Sequence, residues 1–125
     1  MEKKQPLFKS FGFAFEGIFN TIKTERNIKI HLFATIMVII FGFILNISYL
    51  EWLICLLLFG LITSLELVNT SLEALVDLAT QERKPLAKKA KDAAAGAVLY
   101  SSIIAAIIGG IIFFPKLYNF IINLT

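Results

Sequence analysis

From Leu32 to Leu50 the chain reads LFATIMVIIFGFILNISYL, 19 residues without a charge. As a helix this run rises about 28 Å, close to the roughly 30 Å hydrocarbon core of a bilayer. It predicts a first transmembrane span over residues 28–48. The run begins too late, is too long and ends without the small-residue pattern of a cleaved signal peptide. A short connection around Asn46–Glu51 follows. The next apolar run, Trp52–Leu65, has only 14 residues, but LELVNTSLEALVDLA continues it with Leu, Val and Ala between acidic positions and neither Gly nor Pro. One helix over 50–79 is therefore expected. The third run, Ala93–Phe114, is uncharged over 22 residues and is followed by Pro115 and Lys116. It predicts a span over 90–114 that closes at the proline.

Ahead of these spans, Phe8, Phe11, Phe15, Phe19 and Ile22 recur at three- and four-residue steps, with Lys9, Glu16, Asn20 and Lys23 between them. This is the pattern of an amphipathic helix, here 7–25, lying at the membrane interface. Its aromatic stripe serves either lipid contact or packing on the bundle, and Gly12 and Gly17 weaken its continuity. The pattern as a whole gives an all-α integral membrane protein: three transmembrane helices plus an N-terminal interfacial helix, in one domain spanning 1–125.

Composition agrees with this reading. The chain is 58% hydrophobic and 17% charged, whereas soluble domains run about 45–50% apolar and about 25% charged. Its 125 residues leave room for one domain. The net charge of +3 does not indicate a nucleic-acid surface, because the basic residues fall in two clusters. Lys3, Lys4, Lys9, Lys23, Arg26 and Lys29 precede the first long apolar run, and Arg83, Lys84, Lys88, Lys89 and Lys91 lie between the second and third. Both clusters fall on one side of a three-span arrangement. The positive-inside rule puts that side, with the N-terminus, in the cytoplasm and the C-terminus outside. Tyr49, Trp52 and Tyr118 suit the outer aromatic belt. The single Cys55 excludes a disulfide framework and reads as a small core residue.

Ionisable groups within a span cost about 2.5–3.5 kcal/mol near the helix centre, so each calls for an account. At about 100° per residue, Glu66 to Glu73 and Glu66 to Asp77 each return to within roughly 20°, and Asn69 lies about 60° to one side. One polar stripe, Glu66, Asn69, Glu73 and Asp77, runs down the cytoplasmic half of the second span. By helix rise, Glu66 lies roughly 7 Å inside the boundary, with Glu73 near the boundary and Asp77 beyond it. Carboxylates so placed repel one another unless protons or cations intervene. The cation best suited to all-oxygen ligands and phosphates is Mg²⁺.

Lys88, Lys89 and Lys91, just before Asp92, could hold phosphate oxygens, although basic loops also serve orientation alone. Glu25, between the interfacial helix and the first span, reads as a solvated or capping carboxylate or as a ligand, and His31 as an interfacial residue. There is no P-loop and no kinase-type Gly-rich loop. These residues leave two readings: metal-assisted chemistry on a lipid headgroup, and a proton-coupled transporter or ion-conducting oligomer. Transporter sites belong near the bilayer midplane, whereas these carboxylates crowd one end.

SLELVNTSLEALVDL (64–78) with AKDAAAGAV (90–98), and TERNIKIH (24–31) ahead of them, closely resemble the prokaryotic diacylglycerol kinase family of small membrane lipid kinases. The likeness covers nearly the whole chain. AKDAAAGAV and PLAKKAKD look most like the Gram-positive branch, whose members phosphorylate undecaprenol in preference to diacylglycerol. The resemblance implies ATP as co-substrate, Mg²⁺ as cofactor, and a homotrimer with sites shared between subunits. It assigns Glu66 as general base, and Glu25 and Glu73 as ligands of the metal on ATP. Asn69 would line the site. Asp77, Lys91 and Asp92 match the nucleotide end, and Glu82 matches a further nucleotide contact. Glu16 departs from the pattern, standing where the diacylglycerol-specific enzymes carry a basic residue. Small residues at four-residue spacing in the third span, Ala93 with Ala97, Ala105 with Gly109 and Ala106 with Gly110, permit close helix approach within or between subunits.

Overall fold

The computed structural model describes residues 5–125 as four helices: α1 (Leu7–Thr24), α2 (Arg26–Ile44), α3 (Tyr49–Ala79) and α4 (Pro85–Leu124). Lys3 and Lys4, members of the first basic cluster, lie outside the described residues. Helices α2, α3 and α4 are each long and apolar enough to cross a membrane. The protein is thus all-helical, with three span-capable helices behind a shorter amphipathic one.

Glu25 is the single residue between α1 and α2. Its extended backbone (φ −95°, ψ 122°) ends one helix and begins the next. The break falls where a one-sided aromatic stripe gives way to apolar residues all round, a change that separates a helix lying against a surface from a buried or membrane-spanning one. Gly12 and Gly17 do not interrupt α1. Phe8, Phe11, Phe15 and Phe19 are 58–73% exposed, so most of the aromatic stripe is left uncovered by its own chain, and only Ile22 at its end is half-buried.

The turn from α2 to α3 is built from two caps. Asn46 takes a left-handed conformation (φ 52°), and the Asn46 and Ile47 N–H groups return to the Phe43 and Gly42 carbonyls, the pattern that satisfies the last carbonyls of a helix. Two residues on, Ser48 Oγ accepts from the Glu51 N–H (3.2 Å) and Glu51 Oε1 accepts from the Ser48 N–H (2.8 Å), a complete capping box. Glu51 therefore stands in the first turn of α3, within the helix expected over 50–79 and at the edge of the connection expected around Asn46–Glu51. Ile47 then enters the core with Cys55 and Ile112, among Val38, Trp52 and Phe113.

Helix α4 does not close at Pro115. It runs on to Leu124 with the proline inside it. Proline deprives only the carbonyl four residues earlier of its donor, and apolar helix-compatible residues continue on both sides. Just beyond it, Lys116 Nζ reaches Glu51 Oε1 at 3.2 Å, joining the far ends of α3 and α4. Pro85 opens the same helix at its first turn, where the missing N–H costs nothing.

Helices α3 and α4 make the most extensive contact, α2 packs on α3, and α1 is held more thinly by α2 and α3. Of the small residues predicted for close approach, Gly109 is not used for it within the chain, since a Cβ placed there would meet nothing within 4 Å. The close approach falls instead at Gly42, where a Cβ would stand 2.5 Å from the Trp52 indole. Phe33, Phe43, Leu57, Ile111 and Phe114 are all more than 65% exposed, far more apolar surface than a water-soluble monomer leaves uncovered.

Candidate active site

The stripe Ile62, Glu66, Asn69 on α3 faces inward, and its two polar members are buried, Glu66 to 2% exposure and Asn69 to 8%. Glu73 continues the face half-buried, and Asp77 emerges at the surface. Hydrogen bonding links consecutive members: Asn69 Nδ2 donates to Glu73 Oε1 at 3.2 Å, fixing that carboxylate from the turn below. The opposite end of the amide, Asn69 Oδ1, and Glu66 Oε1 are both sealed from solvent without a completed hydrogen bond. Two bare acceptors on one buried face call for a donor or a cation.

The side chain that reaches Glu66 comes from α2. His31 Nε2 lies 3.1 Å from Glu66 Oε1, within hydrogen-bonding range but off the direction that would complete the bond. The sequence reading placed His31 at the interface and missed this contact. A signal was present: Ile28, His31, Thr35 and Val38 recur at three- and four-residue steps along α2, and all four are buried or half-buried. Ile28, fully buried, seats that face one turn before the histidine. His31, Thr35 and Val38 also wall an apolar cavity of about 310 Å³ between α2, α3 and α4, with Ile62 and Thr63 opposite.

Glu25, at the α1–α2 joint, and Glu73 both lie close enough to Glu66 to repel its charge. The resemblance had assigned these two as metal ligands. Among the described residues no three His, Cys, Asp or Glu side chains converge as a preformed cage. Two carboxylates are nevertheless the donor set with which Mg²⁺ is held when substrate phosphates complete its shell.

The remaining predicted residues gather at the basic end. Asp77, Glu82, Lys91 and Asp92 all line one open cavity of about 620 Å³, with Arg83, Lys84 and Lys88 on its rim. Lys91 Nζ donates to Asp77 Oδ1 at 2.5 Å, and Lys88 Nζ to Asp92 Oδ2 at 2.5 Å. Lys88 stands in the polar first turns of α4, ahead of the uncharged run. Its hydrogen bond to Asp92 holds the ammonium above the ordinary lysine pKa, so it stays charged at neutral pH. The eight sequence-predicted residues thus divide between a buried acidic site, Glu25, Glu66, Asn69 and Glu73, and a mixed-charge cavity beyond it.

A polytopic helical membrane protein with a buried carboxylate on the inward face of α3, and an open mixed-charge cavity where α3 meets α4, is the class defined by this fold and site. Residues 12–113 match the family described as prokaryotic diacylglycerol kinase. The undecaprenol kinase of Bacillus subtilis is 53% identical over 110 residues, covering 88% of this chain and 89% of the relative. The diacylglycerol kinase of Synechocystis is 39% identical over 93% of this chain and 67% of its own length, and that of Helicobacter pylori 34% over 83% and 81%. The chain belongs to the prokaryotic diacylglycerol kinase family. It is a multi-pass membrane enzyme that phosphorylates a lipid.

Proposed function

We propose that the protein transfers the γ-phosphoryl group of ATP to the primary hydroxyl of undecaprenol, giving undecaprenyl phosphate at the cytoplasmic face of the cell membrane. The observation that carries the chemistry is Glu66, a carboxylate 2% exposed with no completed hydrogen bond at Oε1. A general base must reach the hydroxyl it deprotonates, and its strength rises when it is taken from water. The choice of undecaprenol is supported by the 53% identity to the Bacillus subtilis enzyme of that name, against 39% or less for the diacylglycerol kinases compared.

In this reading Glu25 and Glu73 would hold Mg²⁺, which when bound neutralises phosphate charge that developing bonds would otherwise have to bear. Asn69 keeps the Glu73 carboxylate turned toward that position. Lys91, with Lys88 beside it, holds phosphate oxygens, and Asp77, Glu82 and Asp92 offer acceptors to the ribose hydroxyls and the adenine amine from the walls of the 620 Å³ cavity. The lipid oxygen attacks the γ-phosphorus, its proton passes to Glu66, and ADP departs with the bridging oxygen. Phosphoryl transfer requires positioning and charge balance more than covalent help from the protein, and these residues supply both.

A homotrimer is the assembly expected of the family. Self-association is supported here by the exposed Phe stripe of α1 and by the open space around Gly109 of α4. The basic loop between α3 and α4 would face the cytoplasm.

The test is transfer from labelled ATP and Mg²⁺ by the purified protein in mixed micelles, with undecaprenol and diacylglycerol offered separately and Glu66→Gln in parallel. Faster labelling of undecaprenol that the variant loses is the expected result. Preference for diacylglycerol overturns the acceptor while keeping the chemistry, and full turnover by Glu66→Gln overturns the base.

A further inference from the structure

We propose that His31 is the positioning residue of the Glu66 base: its Nε2–H, carried on α2, holds Oε1 of the carboxylate so that the other oxygen meets the lipid hydroxyl. The inference rests on the lipid-kinase reading for its catalytic meaning, but the pairing itself rests on geometry. Glu66 is 2% exposed, and an isolated buried carboxylate is too costly to persist without a donor or counter-ion. Among the described residues the lysines near the site are engaged elsewhere, Lys91 with Asp77 and Lys88 with Asp92, and the ion-pair contact of Glu66 is to His31, at 3.1 Å. The acids nearest Glu66, Glu25 and Glu73, add repulsion rather than support. His31 is therefore the group that can stabilise this carboxylate from within the chain.

The placement of His31 is fixed by packing. Ile28, fully buried one turn earlier, turns that face of α2 inward, and Thr35 Oγ1 donates back to the His31 carbonyl at 2.8 Å, one turn later. The ring thus stands between Glu66 and the 310 Å³ apolar cavity. Oε1 lies off the N–H direction. Hydrogen bonds of catalytic groups often align only when the reacting complex forms, and rotation of the carboxylate toward Nε2 would complete this one. A base held at one oxygen presents the other at a defined angle, and misplacement of about 1 Å costs on the order of 100-fold in rate.

The test uses the full-length protein in mixed micelles with His31→Leu and His31→Gln, the latter placing an amide N–H near the imidazole Nε2. His31→Leu should lower kcat by roughly 10- to 100-fold with the KM for ATP within about twofold of wild type, and His31→Gln should recover most of the loss. Leucine with undiminished kcat, or glutamine no better than leucine, overturns the proposal. His31 is the chain's single histidine, so its imidazole nitrogens give one clean ¹⁵N signal pair. A changed Nε2 resonance in Glu66→Gln is expected, and an unchanged one overturns the pairing whether or not the protein phosphorylates any lipid. Absence of transfer by the wild type would instead remove the kinase reading and leave the pairing to be decided by this resonance.

Discussion

Lys91 Nζ stands 2.5 Å from Asp77 Oδ1, tying the last turns of α3 to the first turns of α4 across a separation of 14 residues. The pair and the loop between them, from Thr80 to Pro85, line the same cavity. Both side chains are largely exposed, 41% and 60%. Such a pair contributes about 0–1 kcal/mol to stability, so its value lies in where it holds the ammonium.

Lys91→Met should accordingly leave the melting temperature in detergent nearly unchanged while raising the KM for ATP by roughly 10-fold or more, as expected for loss of a charge-assisted bond worth about 1.5–3 kcal/mol. Asp77→Asn, which keeps the lysine but loosens its position, should have a smaller effect in the same direction. Steady-state kinetics with varied ATP at saturating lipid make the comparison.

Metal dependence should follow Glu73. Chelation with EDTA is expected to stop transfer and added Mg²⁺ to restore it. Glu73→Gln should raise the Mg²⁺ needed for half-maximal rate. Asn69→Ala, which removes the donor to Glu73 Oε1, should raise it by roughly 10- to 100-fold, the range for partners that orient metal ligands. A Mg²⁺ titration unchanged in both variants would count against the assignment.

Gly42 should be intolerant of any side chain. A Cβ there would meet the Trp52 ring at 2.5–2.8 Å, and overpacking of this kind costs about 1–3 kcal/mol. Gly42→Ala should lower thermal stability and shift the emission of Trp52, the chain's single tryptophan. Gly60→Ala, with open space around it, should do neither.

The first turn of α3 separates two roles of one carboxylate. Glu51 caps Ser48 and also pairs with Lys116. Glu51→Gln keeps the bond from the Ser48 N–H and should cost little, whereas Glu51→Ala loses that bond and the ion pair and should destabilise by about 1 kcal/mol, the scale of one hydrogen bond. Thermal unfolding of the two variants distinguishes capping from ion pairing.

Much of the architecture was legible along the chain because it is local. Uncharged runs of membrane-spanning length, the aromatic stripe before them and the turn between the first two spans follow from hydropathy and period. The capping box could be read too: Ser48 and Glu51 stand three apart ahead of an apolar run. Glu66, Asn69 and Glu73 could be put on one face because helical periodicity relates residues of the same helix without knowledge of any neighbour. Pro115 misled for the converse reason: a strong local breaking signal was overridden where apolar surface and the Lys116–Glu51 pair continue on the far side.

By itself, then, the sequence determined the helices, the family and the acidic stripe, all consequences of short-range periodicity and of a specific residue pattern. The tertiary structure decided what stands opposite each residue. It put His31 against Glu66, Lys91 against Asp77 and Trp52 against Gly42, and it gathered Asp77, Glu82, Lys91 and Asp92 around one cavity. Those relationships depend on the rotation and offset of one helix against another, which packing between whole helix faces fixes and which no single segment encodes.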